Sequence, residues 1–533
     1  MTSPSFEDEI AIACRIPADI ILDIVNATKG QTSGDDAKQF HSLHWIRLSH
    51  LCRRWRSVII GTPLLWTSIQ ANNVERANAF TERSQHAPIN LFLSQRLPEH
   101  ELRTFTDLAQ SQSHRINSLW LSLPSADLVE IVSSIGDSLP RLRLLSLADP
   151  GNEGNFIPSQ LAFQPDRRSD SPLHTLILDN VILSWDLLHL TDLRVLKISR
   201  LRSRFTELHR WLRLSEFLDI LDSCPSLEKL SVITSGPLFQ NIVAAQGNRT
   251  RIIELSCLKE LELDNSPIII AMTLAHLRIP ETTKILLRPS MFQGLESHFD
   301  PGYITPFPPT CSRNLPVISH LEKLYICSDW DNLTTIVKAG PLRKSAAEEE
   351  EWPFIVEFDW KCNHEVPFII GEAITRMNRD LGQVLGQNIL EFTLEGHLSC
   401  HTNFQTPWED LFSHLPQLRS FTLNHLPQEE PCNSDHVLEI EDDALEKVVK
   451  ALRITDRSLV VPCPSLKEIR LKSDVLHYVI RYIHEMLRTR VPRTGRLPLL
   501  ELDMCSRQVD PDDDMAWEDV TEETRFLNEL IVC

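Results

Sequence analysis

The stretch LEKLSV, Leu227 to Val232, decides how most of this chain folds. It places apolar residues at Leu227, Leu230 and Val232, separated by two variable positions and then by one. Side chains alternate between the two faces of a strand, so the last two apolar residues point to the same face. The pattern recurs along the chain, which predicts many short strands that share one buried face.

The copies share the three apolar positions and are irregularly spaced. They are Leu142/Leu145/Leu147, Leu173/Leu176/Leu178, Leu193/Leu196/Ile198, Leu227/Leu230/Val232, Leu258/Leu261/Leu263, Leu321/Leu324/Ile326, Ile389/Phe392/Leu394, Leu418/Phe421/Leu423, Leu466/Ile469/Leu471 and Leu499/Leu502/Met504, after a weaker copy at Ile116/Leu119/Leu121. Several follow a proline-containing lead-in, such as CPSLEKL and HLPQLRSF. The pattern is that of a leucine-rich repeat, in which stacked units bury one continuous core.

Two long gaps interrupt the series between Leu258 and Ile389, and each is long enough to contain a degenerate repeat. WPFIVEFDW, Trp352 to Trp360, is a candidate strand in one of them. The irregular spacing also predicts long loops on one rim, at residues 150–172 and 344–353. We therefore predict an α/β fold in which a curved leucine-rich-repeat solenoid with parallel strands follows an N-terminal helical region.

The first 66 residues have a helical period instead. In IPADIILDIV, the apolar side chains of Ile16, Ile20, Ile21, Ile24 and Val25 form one stripe. A second helix is predicted from near Phe40, and a third stripe runs through Leu48, Leu51, Cys52, Trp55, Val58 and Ile59. Gly61 and Pro63 end it, so three short amphipathic helices are expected.

Charge and composition exclude several classes of function. The chain has 53 Lys+Arg against 73 Asp+Glu, a net charge of −20, which repels a phosphate backbone, so no nucleic-acid partner is expected. The longest apolar stretch, residues 267–277, is about half of the ~20 residues that a membrane span needs. The acidic N-terminal stretch does not resemble a secretory signal, and the twelve cysteines are scattered. We expect an intracellular protein, cytoplasmic or nuclear, with no membrane partner.

Motifs for catalysis or cofactor binding are not evident. The sequence has no G-x-S-x-G, no H-E-x-x-H and no phosphate loop ending in Gly-Lys-Ser/Thr. Cys362 with His364, and Cys400 with His401, lack the second close pair of a structural zinc site, so no metal and no cofactor are predicted. Cys224 and Cys463 occupy equivalent places before Pro-Ser-Leu, which favours buried packing over redox chemistry. An enzyme whose site is assembled from scattered loop residues remains an alternative.

The strings IPADIILDIV and LSHLCRRWRSVIIGTPLLW resemble the F-box domain. The Cys52-Arg53-Arg54-Trp55-Arg56 block and the closing Pro63-Leu64-Leu65-Trp66 are the specific part of the likeness. Ile16 replaces the usual opening leucine, Asp19 replaces the usual glutamate, and the loop after the first helix is long. An F-box ahead of leucine-rich repeats is similar to the layout of many proteins of mushroom-forming fungi.

The resemblance implies a non-catalytic receptor subunit of a ubiquitin ligase complex in the Ubl conjugation pathway. The F-box would dock on a Skp-type adaptor, and through it on a cullin, while the repeats hold an unknown protein substrate. The adaptor contacts and packing residues implied are Ile16, Pro17, Ile20, Ile21, Ile24, Leu48, Leu51, Cys52, Trp55 and Val58. The alternative is a non-catalytic scaffold for protein-protein interaction with no ligase role.

The corresponding division of the chain is an N-terminal extension at 1–14, the F-box at 15–66, an irregular repeat domain at 67–505 and an acidic tail at 506–533. Substrate contacts are predicted at charged variable positions of the strands. These positions are Lys229, Glu260, Glu322, Lys467 and Glu468. In the competing interpretation these charges only solvate the sheet, and loops on the rim bind the partner.

Overall fold

A computed structural model describes most of the chain. The described residues are 14–30, 44–135, 139–150, 159–161, 173–183, 190–199, 214–234, 251–290, 306–308, 311–329, 334–342, 352–359, 382–396, 407–425, 445–454, 461–473, 476–494 and 498–503. The chain divides into two compact units, residues 1–202 and 203–533. The predicted acidic tail and the paired Cys362/His364 and Cys400/His401 lie outside the described residues, as do most residues of the two predicted loops. The loop prediction for 150–172 was wrong at Ser159–Leu161, which form a short strand.

The first unit opens with helical segments. Helix α1 is Ala18–Gly30, a 3-10 helix covers His44–His50, helix α2 is Arg53–Ile60, and a second 3-10 helix is Pro63–Trp66. Pro17 sits just ahead of α1, where the missing N–H of proline costs no helical hydrogen bond. Gly61 follows the last residue of α2, and its N–H still donates to the Ser57 carbonyl at 2.9 Å. We call residues 15–66 the helical module.

Two details of the helix prediction were wrong. The described part of the second segment is a 3-10 helix rather than an α-helix. The third stripe is not one continuous helix, because Cys52 has an extended backbone (φ −159°, ψ 170°) that separates Leu48 and Leu51 from α2. The break changes the helical phase, so Leu51 projects away from the core while Trp55 and Ile59 are buried.

The rest of the first unit contains helices and parallel strands. Helices α3 (Val74–Arg83), α4 (Glu99–Ser111) and α5 (Ser125–Ile135) lie among strands β1 (Ser68–Gln70), β2 (Ile89–Leu93), β3 (Ile116–Ser122), β4 (Leu144–Ala148), β5 (Ser159–Leu161), β6 (Thr175–Asp179), β7 (Val181–Leu183) and β8 (Val195–Ser199). Six of these pair in parallel in the order β1-β2-β3-β4-β6-β8. Strands β5 and β7 form a separate parallel pair.

The second unit has the same kind of architecture. Its helices are α6 (Leu214–Asp222), α7 (Pro267–Ala275), α8 (Cys311–Asn314), α9 (Pro407–Ser413) and α10 (Leu476–Thr494), with a 3-10 helix at Pro316–His320. Its strands are β9 (Lys229–Ile233), β10 (Ile253–Glu254), β11 (Glu260–Asn265), β12 (Leu277–Arg278), β13 (Lys284–Pro289), β14 (Lys323–Asp329), β15 (Thr334–Gly340), β16 (Phe354–Asp359), β17 (Glu391–Gly396), β18 (Ser420–His425), β19 (Glu468–Lys472) and β20 (Leu499–Asp503). The protein is therefore a mixed α/β protein with large, mostly parallel sheets.

The predicted inward leucines form the core of both units. Register aligns the strand leucines of successive copies, as at Leu145 opposite Leu176 and Leu230 opposite Leu261. All three apolar positions are buried in the copies from Ile116 to Leu471. At roughly 2 kcal/mol per buried leucine, each copy contributes strongly to the stacking of strands.

The proline lead-in has a simple structural role. In the CPSL and LPRL strings the N–H of the first core leucine bonds back three residues, as from Leu227 to the Cys224 carbonyl (3.1 Å) and from Leu142 to the Leu139 carbonyl (3.3 Å). Proline occupies the second position of this turn, where its fixed φ is favourable. The lead-in is therefore a tight turn that delivers the chain into the strand, and Cys224 and Cys463 are buried as predicted.

The prediction that the strands are parallel was wrong for one strand of the second unit. Strand order there is β9-β11-β13-β16-β15-β14-β17-β18-β19-β20, and β15 is antiparallel to both neighbours. Only a few residues connect β14 to β15, so the two strands pair antiparallel, because a parallel crossover needs about a dozen residues or more. Strand β16 then reverses again and lies parallel to β13.

Both long gaps contain strands, as predicted. β13 lies in the first gap, and β16 coincides with the candidate strand WPFIVEFDW. The predicted phase of the last copy was wrong. Leu499, predicted to face inward, is 65% exposed. Leu500 and Leu502 instead pair with the buried Ile469 and Leu471. The run LPLLELDM contains two overlapping patterns, Leu499/Leu502/Met504 and Leu497/Leu500/Leu502, and only pairing with β19 selects between them.

Candidate functional site

The helical module has a tightly packed aromatic core. Trp66 is buried, donates its indole N–H to the Ile59 carbonyl at 2.9 Å, and lies edge-on to Trp45 with 5.1 Å between ring centroids. On its other side Trp66 contacts Phe80 of α3 at 4.9 Å, again edge-on. Edge-to-face aromatic pairs add stability beyond the area they bury. This core positions α1 and α2 within the first unit.

The structure divides the predicted adaptor residues into two groups. Ile21 and Trp55 are buried at 0% and 3% exposure and belong to the core of the module. Ile20, Ile24 and Leu51 are 44%, 36% and 55% exposed. Pro17 is also exposed, and Ile16, Leu48, Cys52 and Val58 are half-buried.

Ile20 and Ile24 are one helical turn apart, so their side chains share one face of α1. Sequence reasoning did not select Leu64, which is 69% exposed in the second 3-10 helix. The Pro-Leu-Leu-Trp string could have indicated this exposure, because Leu65 and Trp66 are buried and Leu64 remains outside the core. We use the name exposed apolar surface for the solvent-exposed apolar side chains of the module, Ile20, Ile24, Leu51 and Leu64.

The sheet of the second unit presents a polar face opposite its leucine core. Register places one row across the strands that contains Lys229, Glu260, Lys284, Lys323, Glu391, Ser420 and Glu468. Three of the five predicted substrate contacts, Lys229, Glu260 and Glu468, lie in this row. Glu322 and Lys467 lie one residue before their strands, and Glu322 accepts a hydrogen bond from the Leu342 N–H at 3.2 Å.

Charges in this row and in the two rows after it form ion pairs across strands. Lys229 contacts Glu260 at 2.5 Å, with both side chains about half exposed. Arg288 bridges Glu262 at 2.6 Å and Glu357 at 2.7 Å, so it connects β11, β13 and β16. Partial burial lowers the pKa of Arg288, but the hydrogen bonds to Glu357 and Glu262 outweigh burial and raise it overall. The polar face is therefore cross-linked by ion pairs.

We expect the Lys229–Glu260 pair to contribute little to stability. Exposed ion pairs contribute up to about 1 kcal/mol, so a double-alanine cycle should give a coupling energy below that value. The measurement is native-state hydrogen exchange of the β9 and β11 amides. Lys259 and Glu228, paired at 2.6 Å one residue before the same strands, supply the matched comparison. A coupling above about 2 kcal/mol would assign these charges a structural role.

Aromatic residues occupy the centre of the polar face. Tyr325 and Trp352 lie with ring centroids 6.0 Å apart, the Lys323 ammonium is 5.4 Å from the Trp352 ring, and that of Lys338 is 5.6 Å from the Tyr325 ring. Burial, followed by interactions with Cys327 and Glu395, raises the pKa of Tyr325 above its ordinary value. The phenol therefore remains neutral at physiological pH. We call Tyr325, Trp352, Lys323 and Lys338 the aromatic–lysine cluster.

The first unit has a related feature. Phe92 and Trp120 lie opposite each other in register and stack with 6.0 Å between ring centroids. Both are half-buried, on the face opposite the leucines. Sequence reasoning missed both aromatic groups because it selected charged positions. The sequence did contain a usable signal. The single variable position between the last two apolar residues of a copy is Trp120 in one copy and Tyr325 in another.

The deeply buried cations have structural partners. Arg115 donates to the Ser84 hydroxyl and the Ala87 carbonyl at 2.9 Å, and Arg490 donates to the carbonyls of Leu452, Pro462 and Cys463 at 2.6–2.9 Å. Burial lowers the pKa of both guanidinium groups. The guanidinium N–H groups hold loops to helices, so we assign no binding role to them.

Within the described ranges, no group of three or more His, Cys, Asp or Glu side chains could hold a metal ion. Burial raises the pKa of the Cys224 and Cys463 thiols to about 12, so both remain protonated at physiological pH. No helix in the described part of the chain is long and apolar enough to cross a membrane. The chain matches no protein-family model and no curated protein.

Proposed function

We propose that this protein is the substrate-recognition subunit of a Skp–cullin–F-box ubiquitin ligase. The observation that carries the proposal is the exposed apolar surface on a module whose sequence resembles an F-box. Its core is already filled by Ile21, Trp55 and Trp66, so Ile20, Ile24, Leu51 and Leu64 are available to a partner. A Skp-type adaptor is the partner that the resemblance implies, and the adaptor would connect the chain to a cullin.

The sheets supply the second half of the proposal. Leucine-lined parallel strands, arranged in the manner of an irregular leucine-rich repeat, support a broad polar face that can bind a protein. Tyrosine and tryptophan are enriched among the residues that contribute most to protein-protein binding. In this proposal the chain binds and orients a substrate inside the cell, and the chemistry of ubiquitin transfer takes place on other subunits.

The test is affinity purification of the full chain from cells, with wild type compared with the Ile20→Asp/Ile24→Asp variant. We expect the adaptor and cullin to co-purify with wild type and to be lost from the variant. Proteins retained by both forms are substrate candidates. A wild-type chain that captures no adaptor contradicts the proposal.

A scaffold without a ligase role is the competing function. It predicts capture of partner proteins without any effect on their lifetime. Blocking cullin activity and measuring the half-life of a retained partner separates the two. A half-life that lengthens supports the ligase, and an unchanged half-life for every retained partner supports the scaffold.

The binding face can be located by two sets of variants. Tyr325→Ala and Trp120→Ala remove central aromatic side chains, and each should weaken partner retention by roughly 30-fold if the side chain contributes about 2 kcal/mol. Charge reversal at Lys229, Glu260, Glu322, Lys467 and Glu468 tests the charged positions. Retention of the adaptor is the folding control. If neither set changes the partners, binding belongs to the loops.

A further inference from the structure

The helical module is basic from its first 3-10 helix to its second. Residues 44–66 contain four arginines and no aspartate or glutamate, in a chain whose net charge is −20. These arginines, all of them exposed, are Arg47, Arg53, Arg54 and Arg56. The carboxylates of the module that the structure describes, Asp19 and Asp23, both lie on α1. Positive charge is therefore concentrated on one part of an otherwise acidic molecule.

Packing of α2 turns its arginines toward water. Trp55 and Ile59, one helical turn apart, are the buried side chains of this helix. Arg53 and Arg56 are three residues apart, so they are neighbours on the surface of the helix, outside the buried stripe. Like charges at this spacing repel each other, and a carboxylate that binds both guanidinium groups removes the repulsion.

Apolar side chains are exposed on the same stretch of chain. Leu51, two residues before α2, is 55% exposed, and Leu64 is 69% exposed. Besides the four arginines, the other exposed residues between 45 and 66 are His50, Ser57 and Gly61. A surface that combines arginine with apolar side chains and contains no carboxylate has the composition of a protein interface, where arginine is enriched and aspartate and glutamate are depleted.

These arginines differ from the cations on the sheet of the second unit. There, Lys229 pairs with Glu260, and Arg288 pairs with both Glu262 and Glu357. By contrast, none of the four module arginines makes an ion pair with any residue that the structure describes. The charges of the sheet are neutralised within the molecule, whereas those of the module are available to a partner.

We propose that the module presents a docking surface for an acidic protein segment. Carboxylates of that segment bind Arg53 and Arg56, an apolar side chain of the segment covers Leu51, and Arg47 and Arg54 attract the segment from a longer distance. A planar guanidinium group can bind a carboxylate through two parallel hydrogen bonds, which adds specificity to the attraction. This inference rests on the proposed function, in which the segment belongs to the Skp-type adaptor, and it adds that the docking face of the adaptor is acidic.

Charge complementarity favours a protein over a nucleic acid at this surface. A phosphate backbone carries negative charge along its whole length and is repelled by a chain with a net charge of −20. A short acidic segment meets only the basic part of the surface, because salt screens charges beyond about 8 Å under physiological conditions. The arginines therefore orient an acidic partner toward the module and away from the rest of the chain.

The test is titration of the purified full chain with a purified Skp-type adaptor at low and high salt. We expect the Kd to increase at least about tenfold between about 50 mM and about 500 mM sodium chloride, since salt screens the ion pairs. Arg53→Gln with Arg56→Gln should weaken binding at least about fivefold at low salt and reduce the salt dependence. Arg141→Gln with Arg143→Gln removes two exposed arginines outside the module and should bind as wild type does.

Each outcome decides a different point. Adaptor binding that neither salt nor the Arg53→Gln/Arg56→Gln variant changes overturns this inference and leaves the proposed function in place. Failure of the wild-type chain to bind the adaptor at either salt concentration overturns both. Displacement of the adaptor by a short DNA duplex would assign the arginines to nucleic acid instead. The salt dependence is measured on the native chain, so it does not depend on whether the variants fold.

Discussion

Replacement of both Ile20 and Ile24 by aspartate should abolish capture of a Skp-type adaptor while the helical module stays folded. Both side chains are substantially exposed in the free chain, so the charges remain in water until a partner approaches. In a complex they would enter an apolar contact, and burying unpaired carboxylates costs several kcal/mol. We expect binding to weaken at least about 100-fold, measured by pull-down and by titration with purified adaptor.

The control adds the same two charges elsewhere on α1. Ala18→Asp with Asn26→Asp places them at exposed positions away from the Ile20 and Ile24 face. That variant should bind the adaptor as wild type does. Wild-type binding by the Ile20→Asp/Ile24→Asp variant, with the module shown to be folded, would refute the assignment of the module as an F-box.

Trp55→Ala should destabilise the helical module by about 3–5 kcal/mol. The indole is buried in a small core, and truncation removes its contacts and leaves a cavity that short helices fill poorly. Native-state hydrogen exchange is the suitable measurement, because it reports opening of α1 and α2 separately from the sheets. Exchange of these amides should accelerate roughly a hundredfold or more, since 1.4 kcal/mol corresponds to a factor of ten.

Arg54→Ala provides the comparison on the neighbouring residue. The Arg54 side chain is exposed on α2, so its removal should cost less than about 1 kcal/mol and leave the exchange rates close to wild type. Equal effects of the two substitutions would mean that α2 has a different helical phase from the one described.

The inward positions of the strands were predictable because they depend on a local rule. Side chains alternate along a strand, so the last two apolar positions of each copy lie on the same face. Exclusion of these side chains from water makes that face the buried one. The hidden strand at Trp352 to Trp360 was found in the same way. The phase of the last copy was not predictable, because Leu499/Leu502/Met504 and Leu497/Leu500/Leu502 both fit the pattern. Only the pairing of Leu500 with Ile469 separates the two alternatives.

The candidate site depended more on contacts between distant residues. The apolar stripe of α1 was evident, but whether Ile20 or Ile21 faces the core depends on where Trp45, Trp55 and Trp66 pack. Tyr325 lies beside Trp352 because β15 runs antiparallel to its two neighbours, and no local periodicity in the sequence predicts that change of direction.

By itself the sequence determined the buried leucine positions of the strands, the helical module before the strands and the tight proline turns that lead into the strands. Each of these follows from the preferences of neighbouring residues for water, hydrocarbon or a fixed φ. Tertiary structure alone decided the strand order around β15, the extended break at Cys52 and which apolar side chains stay outside the core. These features arise where two or more segments compete for the same buried space. The outcome of that competition depends on the free energy of the whole packing and not on any one segment.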